Sequence, residues 1–169
     1  MSLDKQMKQL ARGDVSAFES IYKKTQKAVY YTALSVLMDR SLAEDVMQTT
    51  YLKVIKSASS YRAGTDAVAW IKRICRNEAL NLKKKRGHET YIDERENAAM
   101  FGTEQTEDYG LLVDLAKRTL PQEEFEILIL VAAAGYTRRE VAELKNIPIS
   151  TVTYKLNCAT GKMIKALQD

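Results

Sequence analysis

At 169 residues with a 46% apolar share, the chain can form one ordinary domain or two small ones, which excludes wholesale disorder. Its net charge of +4 is unevenly spread: residues 1–90 carry 17 Lys+Arg against 9 Asp+Glu, residues 91–110 one Arg against six acids, and residues 111–169 eight against seven. The basic first half points to a polyanionic partner, while a single histidine (His88) and two isolated cysteines (Cys75, Cys158) leave no metal centre to expect.

Met1–Gln6 has no apolar core behind its charges, so a signal peptide is not expected. No apolar run nears the ~20 residues of a membrane span, so direct membrane insertion is not expected either. Unpaired thiols suit a reducing cytoplasm.

Leu3, Met7 and Leu10 share a helical face that Gly13 ends. Asp14 is placed to cap a second helix with the stripe Val15, Phe18, Ile21/Tyr22, Val29, Ala33, Val36/Leu37. Ser41-Leu42-Ala43-Glu44 reads as a capping box opening a third helix that buries Ala43, Met47, Thr50, Val54 and Ala58. Ser57–Gly64 reads as a loop, and Thr65 or Asp66 caps a fourth helix running to about Arg86. Residues 87–110 are acidic, lack an apolar stripe and are expected to be a flexible linker with a helical fragment around Glu94–Met100. A short helix with Leu111, Leu112, Leu115 and Leu120 follows and ends at Pro121. Gln122–Ala133 is apolar nearly all round, so it is expected to be buried.

The sharpest local pattern is Thr137–Lys165. Thr137-Arg138-Arg139-Glu140 is a capping box, Lys145–Pro148 a turn, and Ser150 the expected cap of a last helix with Val152, Leu156, Ala159, Met163 and Leu167 inward. Ala142 is small where two helices cross, and Asn146 suits a left-handed residue at the corner. The spacing is that of a helix-turn-helix, whose second helix faces a major groove. Reading candidates there are Thr151, Thr153, Tyr154, Lys155, Asn157 and Cys158, with Arg138 at the start of the preceding helix. A plain helical hairpin with a solvated outer face is the bland alternative.

On the fourth helix Arg73, Asn77, Asn81 and Lys84 share a polar face, widened by Lys72, Arg76, Lys83, Lys85 and Arg86. Cations answer phosphates and Asn side chains can read base edges. Tyr61, Arg62 and Trp70 bring aromatic rings beside cations, an arrangement that suits an unstacked base, although Trp70 alone reads as core.

Taken together, these segments resemble the sigma-70 family of bacterial RNA polymerase initiation factors, in its smallest, extracytoplasmic-function (ECF) type. Ala43–Val54 is similar to the helix that docks on the polymerase. Ala69–Asn77 with Lys83–Arg86 is similar to the melting and downstream-box segment, and Leu120-Pro121 with Gly135–Val152 to the upstream-box module. The resemblance implies an all-α protein of two small helical domains: 1–90, then an acidic linker 91–110, then the helix-turn-helix domain 111–169. It implies core polymerase docking by Glu44, Asp45 and Gln48, and downstream-box contact and melting by Tyr61, Arg62, Arg73, Arg76, Asn77, Asn81 and Lys83–Arg86. Upstream-box contact falls to Arg138, Thr151, Thr153, Tyr154, Lys155 and Asn157. Core RNA polymerase, promoter DNA and an anti-sigma factor are the implied partners, with no cofactor and no small-molecule substrate.

Thr49 stands where the family usually has an acid and Asn81 where Asp is common, and Thr151–Gly161 carries Lys155 in place of several Arg. The last departure implies an upstream-box affinity that is either weak or helped by a neighbour. Two other readings stay open: a helix-turn-helix regulator that is not a polymerase subunit, and a sigma-like interaction protein with weakened DNA binding. An enzyme is not expected, since no nucleophile–His pair, phosphate loop or metal cluster is present.

Overall fold

The computed structural model describes residues 1–87 and 106–169, and among these every regular element is helical. The chain divides into two compact units, Met1–Glu94 and Arg95–Asp169. The expected linker over 91–105 and the helical fragment at Glu94–Met100 lie outside the described residues.

The first unit holds α1 (Leu3–Ala11), α2 (Ala17–Leu37), α3 (Arg40–Ser57), a 3-10 turn (Ala58–Ser60) and α4 (Ala67–Gly87). Gly13 turns the chain at φ +88°, a region open to glycine. Asp14 accepts the Ser16 N–H at 3.1 Å in the turn before α2. Val15 stands in that turn and is exposed, so it is not part of the stripe. Helix α2 is the hub, packing on α1, α3 and α4. Met7, Ile21, Val29, Ala33, Ala43, Val54, Ile71, Cys75 and Ala79 are fully buried around it.

Hydroxyls buried in this core are satisfied locally. Thr25 Oγ1 donates to the Ile21 carbonyl at 2.8 Å and lies 2.7 Å from the Tyr51 hydroxyl; Thr50 bonds the Val46 carbonyl at 2.7 Å. Tyr51 also packs edge-on against Phe18 at 5.7 Å.

Ser41 is not the cap of α3. Asp39 takes that place, its carboxylate accepting the Leu42 N–H at 2.9 Å, and the helix starts at Arg40. Asp66 heads α4, accepting the Ala69 N–H at 3.0 Å, while the Thr65 hydroxyl turns back to the Arg62 carbonyl.

The second unit holds α5 (Thr106–Thr119), α6 (Gln122–Ala132), α7 (Arg138–Lys145) and α8 (Ile149–Gln168). Helix α5 begins at Thr106, inside the stretch expected to be linker, and buries Val113 and Ala116, with Leu120 buried just past its end, while Leu111 and Leu112 are exposed. Phe125, Ile127 and Leu130 of α6 are fully buried, and α8 packs on α5, α6 and α7.

The Thr137–Glu140 capping box forms with both bonds present, at 3.1 and 2.7 Å. Asn146 adopts the left-handed conformation (φ 52°, ψ 48°), and the Ile147 N–H returns to the Ala142 carbonyl at 3.0 Å. Ser150 does not cap α8: the helix starts at Ile149, with Pro148 as the residue before it. Leu167 is exposed, so the inward stripe is Val152, Leu156 and Ala159 with Met163 half-buried.

Candidate nucleic-acid and partner interface

Asp45 and Gln48 are exposed on α3, and Glu44 is half-buried beside them. Partial burial raises the Glu44 carboxyl above its ordinary pKa, and the neighbouring Asp45 charge adds to this. The same face continues to Leu52 and Ile55, 59% and 37% exposed. Positions 45, 48, 52 and 55 follow the three- and four-residue steps of one helical stripe. This face is acidic and amide-bearing at one end and apolar at the other. Sequence reasoning took only the first half of it, although the spacing of Leu52 and Ile55 carried the rest.

Across from α3, helix α4 presents Arg73, Asn77 and Asn81 at successive four-residue steps, all exposed, with Lys83, Lys84, Lys85 and Arg86 exposed beyond them. Arg76 is half-buried. Lys72 is buried and does not join the charged face. Asp45 and Thr49 of α3 meet Glu78, Asn81, Lys85 and Arg86 of α4 along one groove floored by Leu42, Val46 and Leu82. Lys53 pairs with Glu78 and ties the two helices together.

Tyr61 is not offered to a base. It is 8% exposed, its ring stands edge-on to Trp70 at 5.5 Å, and its hydroxyl lies 2.9 Å from Asp4 Oδ1 and 2.7 Å from the Thr65 carbonyl. Burial pushes its phenol pKa up, with the Asp4 hydrogen bond adding to the shift. Arg62 next to it is exposed on the turn. The Asp4 carboxyl is held below its ordinary pKa, first by the Gly64 N–H, then by Lys8 and the Tyr61 hydroxyl. Asp4 was missed because two of its partners, Tyr61 and Gly64, lie 57 and 60 positions along the chain.

In the second unit Arg138 and Asn157 are exposed, Tyr154 is 69% exposed, and Thr151 and Thr153 are half-exposed. Lys155 is not a free reading cation: it pairs with Glu123 of α6, whose carboxyl it lowers below its ordinary pKa. Lys162 pairs with Glu124 at 2.9 Å and Lys145 with Glu126 at 2.5 Å. The first acids of α6 therefore occupy cations of the helix-turn-helix. Among the described residues no group of His, Cys, Asp and Glu could hold a metal ion, and no helix is long and apolar enough to cross a membrane.

The family model for sigma-70 region 2 matches residues 21–89, which span the α3 and α4 faces. The ECF RNA polymerase sigma factor SigK of Mycobacterium sp. (strain KMS) is 27% identical, over 91% of this chain and 84% of its own length. SigW of Bacillus subtilis (strain 168), also an ECF RNA polymerase sigma factor, is 23% identical over 100% of this chain and 98% of its own. Residues 21–89 thus match sigma-70 region 2, and the chain along its length is similar to ECF sigma factors. Solved structures agree on the sigma fold. CnrH, in complex with the cytosolic domain of CnrY, has a TM-score of 0.64 at 18% identity and covers 98% of this chain and 96% of its own. The sigma factor RpoE, in complex with the anti-sigma factor NepR from Bartonella quintana, has a TM-score of 0.65 at 23% identity and covers 89% and 96%.

Proposed function

We propose that this sigma factor docks on core RNA polymerase through the α3 face Asp45–Gln48–Leu52–Ile55, with Glu44 at its edge, and holds promoter DNA with α4. The observation that carries this is that α3 exposes Asp45, Gln48, Leu52 and Ile55 while α4, packed on it, exposes Arg73, Asn77, Asn81 and Lys83–Arg86, inside the segment matched by sigma-70 region 2. Arg73, Asn77, Asn81 and Lys83–Arg86 hold the backbone and bases of the downstream box, and Arg76 adds charge beside them. Arg62 meets the unstacked strand, with Tyr61 supporting the turn from beneath instead of stacking on a base.

Residues 1–90 thus serve docking and melting. Residues 111–169 take the upstream box through Arg138, Thr151, Thr153, Tyr154 and Asn157, and 91–110 joins the two. Catalysis is left to the polymerase, the setting is the cytoplasm, and an anti-sigma factor binds the chain, as NepR is in complex with RpoE.

Binding of purified chain to core polymerase tests the docking face. Asp45→Ala with Gln48→Ala lowers affinity at least tenfold, about 1.4 kcal/mol, while the fold is kept because both side chains are exposed. Full affinity in the folded double variant removes the assignment. A sigma-like interaction protein with weakened DNA binding is the second reading, favoured by the Lys155–Glu123 and Lys162–Glu124 pairs. Promoter-directed runoff transcription separates the two.

A further inference from the structure

Helix α1 is anchored to α2 by contacts that do not involve Asp4. Met7 and Leu10 are buried, Gln6 Nε2 donates to the Ser20 hydroxyl, and Lys24 Nζ donates to Gln6 Oε1 at 3.1 Å and to the Met1 carbonyl at 2.8 Å. Asp4 sits in the first turn, where an acid suits the helix dipole, but its carboxylate is spent elsewhere. Its Oδ1 accepts the Gly64 backbone N–H at 2.7 Å and faces the Tyr61 hydroxyl at 2.9 Å, and its Oδ2 pairs with Lys8 at 3.0 Å.

The turn from Tyr61 to Thr65 is closed at several points. Gly64 has φ +82°, where a side chain would be strained. The Thr65 hydroxyl and N–H both reach the Arg62 carbonyl, at 2.7 and 3.3 Å. Arg62, Ala63, Gly64 and Thr65 are all exposed, and Arg62 is the charged residue among them.

We infer that Asp4 is a positioning residue: from α1 it clamps the Tyr61–Gly64 turn, so that Arg62 is held in place before the unstacked promoter strand arrives. This rests on the proposed role of Arg62. A turn ordered in advance loses less conformational freedom on binding, so the clamp raises affinity without touching DNA. Its removal leaves α1 in place, because the α2 anchors are independent of it.

The test uses the full chain assembled with core polymerase. The probe is a forked DNA with its single-stranded segment drawn from a randomised pool by the wild-type holoenzyme. Arg62→Ala and Asp4→Ala each weaken fork binding about tenfold, with core affinity and thermal midpoint unchanged. Asp4→Asn, which keeps an acceptor for the Gly64 N–H, retains most of the affinity. The double variant Asp4→Ala/Arg62→Ala is no weaker than Arg62→Ala, since the clamp acts only through that residue. Wild-type fork binding by Asp4→Ala, additive losses in the double variant, or an equal loss of core affinity each overturn the clamp. An unaffected Arg62→Ala variant overturns the underlying role of the turn as well.

Discussion

Cys75 and Cys158 have the same chemistry and opposite surroundings. Cys75 is fully buried between α4 and α2, its thiol donating to the Val29 carbonyl at 3.2 Å, and burial pushes its pKa up to about 12. Cys158 is half-exposed on α8. Since the thiolate is the reactive form, a thiol reagent at pH 8 labels Cys158 in the native protein and Cys75 only after denaturation. Mass mapping of the labelled peptides checks this; rapid native labelling at Cys75 contradicts the packing described. Tyr61 follows the same logic, since burial under Trp70 and the bond to Asp4 make its ring part of the support and leave Arg62 as the exposed group.

At the scale of elements, the helix-turn-helix corner rests on two local devices. Thr137→Ala removes the hydroxyl that caps α7 and costs about 1 kcal/mol in chemical denaturation. Asn146→Gly is tolerated, because the left-handed conformation carries no penalty for glycine. Both devices were legible in the sequence because capping and turn chemistry are decided within four residues. The choice between Asp39 and Ser41 as cap of α3 was not, since both residue types cap well and stand two positions apart. Nor was the burial of Tyr61 or the capture of Lys155, each set by a partner far along the chain.

The pairing of α6 acids with α8 lysines has a measurable consequence. Glu123→Gln with Glu124→Gln frees Lys155 and Lys162, so duplex affinity rises and the log–log salt slope steepens by up to about 0.9 for each lysine that gains a phosphate. Fluorescence anisotropy across a salt series reads this directly. An unchanged slope shows that neither lysine faces DNA. Conversely, Ala at Lys83, Lys84, Lys85 and Arg86 flattens the holoenzyme's slope by about 0.7–0.9 per lost contact; a wild-type slope makes the run a solvated helix end.

For the whole molecule, the sequence puts an acidic stretch between a basic half and a near-neutral one. Two sites on one chain gain through effective concentration when both are engaged, so a second unit whose α8 lysines pair with α6 acids suits the proposed factor that binds DNA as part of a larger assembly. This sets it apart from a free-standing regulator, whose helix-turn-helix must bind tightly by itself. Runoff transcription with purified core polymerase on a promoter selected by the holoenzyme is the most direct measurement. The account predicts that the chain confers promoter-specific transcripts that core enzyme alone does not make, and that Asp45→Ala/Gln48→Ala lowers their yield in step with core affinity. A chain that ignores core polymerase, yet binds a specific duplex by itself at nanomolar concentration, would contradict it.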